Sequence, residues 1–306
     1  MLAAHPGGGA VLLGSPLASR VTTPCLIFRS MRQTQGSMIC PSCGKLIGVA
    51  EKQCPFCGAR NPGLFGYAPA IQRLFGRRLD LVALIVSSCV LLYIVALALE
   101  PDAIFHATGP FSLLSPGARA LYQLGMTGGL AWHEHWWWTL LTAIYLHGGL
   151  LHIFFNVMWI RNLGPTVDEV YGPARGFVIF SIAGAAGFLV SNLAAGTPTI
   201  GASGSIFGLL AALIVYGRRT GSHLMTQQLW QWAVVMFVMG FLMSAVNNWA
   251  HAGGFAGGWV TAEAMRFSHE KRESLKVQLT ALALIALTAV GFVLSFVRVT
   301  ALLLQH

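Results

Sequence analysis

Gly201-Ala202-Ser203-Gly204-Ser205-Ile206-Phe207-Gly208 opens an apolar run of this chain and places a serine at the start of a hydrophobic helix. A later apolar run, Trp249-Ala250-His251-Ala252-Gly253-Gly254-Phe255-Ala256-Gly257-Gly258, places a histidine among glycines. Polar and ionisable side chains are costly at membrane depth, and where they occur they commonly serve a function. The two stretches therefore predict a nucleophile and its general base inside a bilayer.

The composition of the chain supports a membrane location. Of its 306 residues, 55% are hydrophobic and 9% are charged, which is too apolar for a soluble domain of this size. The sequence therefore predicts an all-α polytopic membrane protein. The net charge of +9 falls mostly in short segments between apolar runs, a pattern typical of membrane topology. We do not expect nucleic acid as a partner.

Seven membrane spans are expected from the apolar runs. They are Leu79–Leu99, Trp138–Ile160, Gly176–Ala195, Gly201–Tyr216, Leu229–Val246, Asn248–Phe267 and Val277–Val297. Basic residues cluster at alternate ends and connections of these spans: Arg77, Arg78, Arg161, Arg175, Arg218, Arg219, Arg266, Lys271 and Arg272. The positive-inside rule then predicts a cytoplasmic amino terminus and an external carboxyl terminus.

The segment before the spans contains a candidate metal site. Cys40-Pro41-Ser42-Cys43-Gly44 and Cys54-Pro55-Phe56-Cys57-Gly58 are two matched Cys-x-x-Cys knuckles. Four thiolates at this spacing predict a tetrahedral zinc site, and with four cysteine ligands no coordination position remains for a reacting water. We expect a structural or docking role for Zn²⁺ in a cytoplasmic zinc ribbon at 38–60, because so small a module has no core without metal.

Residues 1–37 show no periodic pattern and predict a disordered segment. The alternative is that translation begins at Met38 and the preceding segment is not part of the protein. Residues 61–78 are expected to form a Pro/Gly linker between the ribbon and a membrane core at 79–267. Residues 268–306 would then hold the seventh span and the carboxyl terminus.

Two further polar side chains lie on the second predicted span. His152 and Asn156 are one helical turn apart and share a face, and His147 precedes them. Ser203 begins its helix, where backbone N–H groups lack intrahelical acceptors. His152, Asn156 and the Ser203 amide are therefore candidate donors to an oxyanion. The alternative is that the two side chains only bond neighbouring helices.

Small residues predict how serine and histidine meet. Gly204 and Gly208 lie on one helix face, and Gly254 and Gly258 lie on another, which allows close backbone approach. Phe207, one turn after the serine, is expected to pack against the imidazole. Glu263 lies about 18 Å from His251 along the helix, which predicts a Ser-His dyad without a carboxylate and without a catalytic cofactor.

Three motifs resemble those of the rhomboid intramembrane serine proteases. Gly-x-Ser-Gly matches Gly201–Gly204, Ala-His-x-x-Gly-x-x-x-Gly matches Ala250–Gly258, and His-x-x-x-x-His-x-x-x-Asn matches His147–Asn156. The resemblance covers about Leu79 to Phe267. It implies a six-helix core followed here by a seventh span, Ser203 as nucleophile, His251 as base, and oxyanion donors at His152, Asn156 and the Ser203 amide. One departure is that the family's Trp-Arg pair falls at Trp138-Thr139, without the arginine.

The resemblance implies an endopeptidase of the bacterial inner (plasma) membrane that cleaves transmembrane segments of other proteins through an acyl-enzyme. A pseudoprotease that binds or routes membrane clients is the alternative, and such relatives are expected to lose the serine or the histidine. A transporter with broken helices would require a repeat and paired charges across the spans, and the sequence shows neither.

Overall fold

A computed structural model describes residues 32–77, 80–105, 113–243, 246–265, 267 and 273–304. The expected disordered segment 1–37 lies outside the described residues apart from 32–37. Arg78, Arg266, Lys271 and Arg272 of the charge pattern also lie outside them.

Eleven α-helices and one two-stranded sheet are found in the described ranges. The strands are β1 (Ser37–Ile39) and β2 (Leu46–Gly48). The helices are α1 (Ala68–Arg77), α2 (Leu81–Leu99), α3 (Ala118–Gln123), α4 (Gly129–His133), α5 (Thr139–Thr142), α6 (Leu150–Tyr171), α7 (Pro173–Ala194), α8 (Ser203–Thr220), α9 (His223–Phe241), α10 (Asn248–Ala264) and α11 (Leu275–Leu303).

Helix α8 is the centre of the bundle. Every residue from Gly204 to Val215 is buried, so this short helix is covered on all sides by its neighbours. Helices α6, α7, α9 and α10 pack around it. We call the end of the bundle where α8 begins at Ser203 the site end, and the other the opposite end.

Glycines bring three helices into backbone contact. A Cβ at Gly254 would lie 2.6 Å from the carbonyl carbon of Gly204, and one at Gly258 would lie 2.7 Å from the carbonyl carbon of Gly208. Helix α7 joins the same contact, since a Cβ at Gly187 would lie 2.5 Å from the carbonyl oxygen of Ala250. The sequence predicted the contact between α8 and α10 but missed α7 as the third member.

The second predicted span, Trp138–Ile160, is not one continuous helix. Helix α5 and a 3₁₀ turn at Ala143–Tyr145 are bent by 95° from α6, which begins at Leu150. The consecutive glycines Gly148 and Gly149 interrupt the helix, since glycine is a poor helix former. Arg161 therefore lies within α6 rather than at a connection, and it does not belong to the charge pattern used for topology.

Hydropathy and length support a multi-pass membrane protein. Among the described residues, three helices, α2, α7 and α11, are each long and apolar enough to cross a bilayer, or four if the bent pair ending in α6 is one span. Helices α8, α9 and α10 run between the two ends of the same bundle beside them. The chain is thus an all-α, integral multi-pass protein, and the count of seven spans stays a prediction.

The amino-terminal ribbon contacts the bundle. Met38, Ile47 and Val49 form its small core together with Ala68 of α1, and Leu275 at the start of α11 packs against it. The expected linker at 61–78 in fact holds α1, whose Gln72 side chain donates to the carbonyl oxygen of Ile39 (3.0 Å). Pro69 is tolerated in the first turn of α1, where its missing N–H needs no partner.

Candidate active site

Ser203 and His251 meet at the site end. Ser203 is the first residue of α8, and His251 lies one turn into α10. Ser203 Oγ and His251 Nε2 are 3.0 Å apart, a normal hydrogen-bond distance. The close approach of Gly204 and Gly254 sets this distance, because Gly204 follows Ser203 directly and Gly254 lies three residues after His251.

Asn248 orients the imidazole, and sequence reasoning missed it. Its Oδ1 lies 3.2 Å from His251 Nδ1. An amide oxygen only accepts, so Nδ1 carries the proton and Nε2 is free to accept from the Ser203 hydroxyl. The signal in the sequence was an asparagine three residues before the histidine, on the same helix face. Gly240 of α9 leaves room for this amide, since a Cβ there would lie 3.0 Å from Asn248 Cγ.

Phe207 packs against the imidazole of His251. Its ring stacks on that of His251 with centroids 4.4 Å apart and planes at 23°. His251 is 6% exposed, so the imidazole is enclosed between the aromatic ring and α10. The stacking and the Asn248 bond together restrict rotation of the ring, in a position where many serine hydrolases use a carboxylate.

His152 faces the peptide that precedes the serine. Its Nδ1 accepts from the backbone N–H of Gly148 (3.2 Å), which leaves the proton of the neutral ring on Nε2. A Cβ at Gly201 would lie 2.6 Å from that Nε2, and Gly201 has a φ of +121°. Glycine is therefore required at 201 both for its conformation and for space. His147 supports this ring, with centroids 5.1 Å apart.

Asn156 lies one turn further along α6. Its Nδ2 donates to the carbonyl oxygen of His152 (2.8 Å), while its Oδ1 is buried and has no hydrogen-bond partner among the described residues. One hydrogen of the Nδ2 group is thereby used within the helix, and the other is left for a further acceptor. The structure thus brings His152 directly against Gly201 and places Asn156 behind it.

Asn247 fixes the start of α10. Its Oδ1 caps the helix by accepting from the N–H groups of Trp249 (3.1 Å) and Ala250 (3.2 Å). Its Nδ2 donates to Ser191 (2.6 Å) of α7 and to Thr199 (2.9 Å). This polar cluster joins α7, α10 and the connection before α8, so it holds His251 in register with Ser203.

Glu263 lies away from the dyad. It forms an ion pair with Arg219 in the last turn of α8, at the opposite end of the bundle. The same arginine donates to the carbonyl oxygen of Glu263 (2.9 Å). This carboxylate therefore ties the ends of α8 and α10 together, far from His251.

The four cysteines of the ribbon form a second candidate site. Their sulfurs all lie within 4.8 Å of one another, with Cys40 to Cys57 at 3.9 Å and Cys43 to Cys54 at 3.7 Å. Tetrahedral zinc thiolate geometry requires sulfurs about 3.8 Å apart, from Zn–S bonds of about 2.3 Å. Gly44 and Gly58 have φ of +74° and +73°, the left-handed turn that each knuckle needs. This set of donors fits a metal ion.

Known proteins match the region of the chain that contains these residues. Residues 134–267 match the family model described as Rhomboid domain. The chain is 35% identical over 160 residues to "Rhomboid protease GluP" of Bacillus subtilis, covering 51% of this chain and 31% of that protein. It is 34% identical over 158 residues to "RHOMBOID-like protein 5" of Arabidopsis thaliana, covering 48% and 50% respectively.

A third relative carries a different description. "Inactive RHOMBOID-like protein 8" of Arabidopsis thaliana is 29% identical over 164 residues, covering 49% of this chain and 45% of that protein. The chain thus spans from about a third to half of the length of these curated relatives. The matched region contains α6 to α10 and with them every residue placed at the site end above, so this part of the chain is similar to a rhomboid domain.

Proposed function

We propose that the protein is an intramembrane serine endopeptidase that cleaves transmembrane segments of other membrane proteins. The observation that carries the proposal is the 3.0 Å contact of Ser203 Oγ with His251 Nε2, in a histidine whose Nδ1 is held by Asn248. A nucleophile, a base and a group that orients the base are the parts that acyl transfer requires. The name of the relative "Rhomboid protease GluP" supports the same activity.

The reaction proceeds in two steps. His251 Nε2 takes the proton of the Ser203 hydroxyl as Oγ attacks the scissile carbonyl carbon. The tetrahedral intermediate collapses when His251 gives that proton to the leaving amine, and the acyl group remains on Ser203. Water, deprotonated by the same Nε2, then releases the acid and restores the hydroxyl.

The oxyanion is stabilised by three groups in this proposal. The backbone N–H of Ser203 lies at a helix start, where it has no intrahelical acceptor. His152 contributes Nε2–H, which points at Gly201, and Asn156 contributes its second amide hydrogen. Donors fixed before the reaction stabilise developing charge better than water, which must reorient.

We further propose that the site end faces the external side of a bacterial plasma membrane. Arg218 and Arg219 end α8 at the opposite end, which the positive-inside rule assigns to the cytoplasm. The ribbon contacts the same end through Leu275. Reporters fused at Met38 and after residue 306 are expected to be cytoplasmic and external, respectively. Two reporters on one side would overturn this orientation.

For the ribbon, we propose that Cys40, Cys43, Cys54 and Cys57 hold one structural Zn²⁺. The ion would supply cross-linking of the two knuckles, and no catalytic step involves it. The domain boundaries are part of the proposal: a ribbon at 38–60, a linker at 61–78 that contains α1, a protease core at 79–267, and the seventh span with the carboxyl terminus at 268–306.

The proposed activity can be tested by measuring cleavage of a single-span substrate in proteoliposomes. Ser203→Ala and His251→Ala should abolish or nearly abolish cleavage, since one removes the nucleophile and the other the base. Ser205→Ala is the matched control: the buried Ser205 hydroxyl bonds to no group in the described part of the chain, so its loss should leave turnover intact. A wild-type protein that binds the substrate and never cuts it would instead support the pseudoprotease alternative.

A further inference from the structure

Helix α11 lies outside the sequence motifs, yet one of its faces is buried at regular spacing. Gly291, Ser295 and Val299 follow each other every four residues and are all buried, with Ser295 fully so. Residues four apart share one helix face. A buried hydroxyl is costly unless it is hydrogen-bonded. The hydrogen-bond partner of Ser295 therefore indicates which part of the protein this face of α11 holds in place.

That partner is Trp138, at the end of the long connection before the site. The Trp138 indole Nε1–H donates to Ser295 Oγ at 2.8 Å. Gly291 allows the ring to lie against α11, since a Cβ there would be 3.2 Å from Trp138 Cβ. Trp138 is the N-cap residue of α5, and the next residue, Thr139, stands where the resemblance leads one to expect an arginine.

Two neighbouring contacts hold the same connection against α11. Val299 packs with Trp136 and Ala131 in a separate apolar cluster. A Cβ at Gly125 would lie 2.7 Å from Ser295 Oγ, so the turn at Gly125 also rests directly on α11. The connection between α3 and α5 is thus held against α11 by a hydrogen bond, an apolar cluster and a glycine contact. We call this set of contacts the junction.

Two further hydrogen bonds connect the junction to the peptide before the candidate nucleophile, Ser203. Thr142 of α5 donates to the carbonyl oxygen of Gly125 (2.8 Å) and so joins α5 to the same turn. The next residue, Ala143, accepts from the N–H of Gly201 (2.9 Å). Gly201 lies two residues before Ser203 and faces His152. A displacement of α5 would therefore move the peptide that carries the serine.

We infer that α11 braces the active site through Ser295, which acts as a positioning residue for Trp138, α5 and the Gly201–Ser203 peptide. The inference rests on the proposed function. Helix α11 is then part of the catalytic unit rather than an appended anchor. Removing the Ser295 hydroxyl leaves the partly buried Trp138 N–H without this acceptor, which loosens the junction while the dyad side chains stay in place.

A double-substitution cycle with Ser295→Ala and Trp138→Phe tests this inference. Each single variant should lower kcat about tenfold with KM nearly unchanged, because a small misplacement of reacting groups acts on the chemical step. The double variant should be no slower than either single variant, since both remove one interaction. Trp138→Phe also serves as the second probe if Ser295→Ala folds poorly.

The matched control is Thr288→Val on the same helix. Thr288 is also buried, but its hydroxyl donates within α11, to the Leu284 carbonyl oxygen (2.7 Å), and to no other helix in the described ranges. Its kcat should equal that of wild type. Full wild-type kcat in both single variants would overturn the inference that α11 positions the active site through Ser295. Effects on kcat that multiply in the double variant would also overturn it. Failure of the proposed function gives a different result: wild type would then cleave no better than Ser203→Ala.

Discussion

Replacing Gly254 by alanine should separate the two helices that carry the dyad. The added Cβ would lie 2.6 Å from the Gly204 carbonyl carbon and 2.7 Å from its Cα. Ordinary carbon contacts are about 3.5 to 4.0 Å, so α8 and α10 must move apart by about 1 Å. Alanine is intrinsically the better helix former by about 1 kcal/mol, so any loss comes from packing, where an extra methyl costs about 1 to 3 kcal/mol.

The same displacement decides the effect on catalysis. Gly204 is adjacent to Ser203, so a shift of about 1 Å takes the Oγ to Nε2 distance from 3.0 Å to about 4 Å, beyond hydrogen-bond range. A misplacement of this size costs about 100-fold in rate. The measurement is kcat/KM for a single-span substrate in proteoliposomes, with thermal unfolding of each variant as a check on folding.

Ala256→Ser provides the matched control for Gly254→Ala. It also adds one heavy atom to α10, but on the exposed face of the helix. Its kcat/KM should stay within about twofold of wild type, as expected for a surface substitution. If Gly254→Ala also retained wild-type kcat/KM and stability, the backbone contact between α8 and α10 would be refuted as the source of the dyad geometry.

The other predictions concern the groups around the dyad and the ribbon. Asn248→Ala should lower kcat at least about tenfold, because the Nδ1–H of His251 loses the acceptor that fixes the tautomer of the ring. A normal kcat would show that Phe207 alone orients the ring. Asn156→Ala should cost about ten- to a thousand-fold in kcat, with the remaining donors still holding the oxyanion. Glu263→Gln should leave kcat within about twofold while lowering stability slightly, as expected for an exposed ion pair; a large loss of kcat would contradict its distance from the dyad. Cys54→Ser should abolish stoichiometric zinc measured by elemental analysis and leave the bundle folded; wild-type protein without zinc would exclude the proposed site.

The dyad could be predicted from sequence because its physical requirements are local. A serine at a helix start and a histidine among glycines stand out in apolar runs, and the four-residue glycine spacing on α8 and α10 indicates their contact. Helix α7 was missed because the glycines at 184 and 187 lie in a run that reads simply as an apolar span. Only the packed structure shows that Gly187 lies against Ala250.

The bend within the second predicted span was missed for a similar reason. Hydropathy continues across Gly148 and Gly149, so a window average does not detect the bend between α5 and α6. Asn248 was missed because its bond to His251 depends on the direction of its side chain. Ser295 was missed because its partner, Trp138, is distant in the sequence. Trp138 and Ser295 are 157 positions apart, a separation at which sequence spacing carries no information.

The central claim is that Ser203 is a nucleophile activated by His251, and covalent labelling tests it without any knowledge of the substrate. A serine-directed phosphonate should modify the wild-type protein in proteoliposomes, with mass spectrometry placing the adduct on Ser203. Labelling should be lost in Ser203→Ala, be strongly slowed in His251→Ala and persist at the wild-type rate in Ser205→Ala. Equal labelling of folded wild-type and Ser203→Ala protein, or an adduct on another residue, would contradict the account.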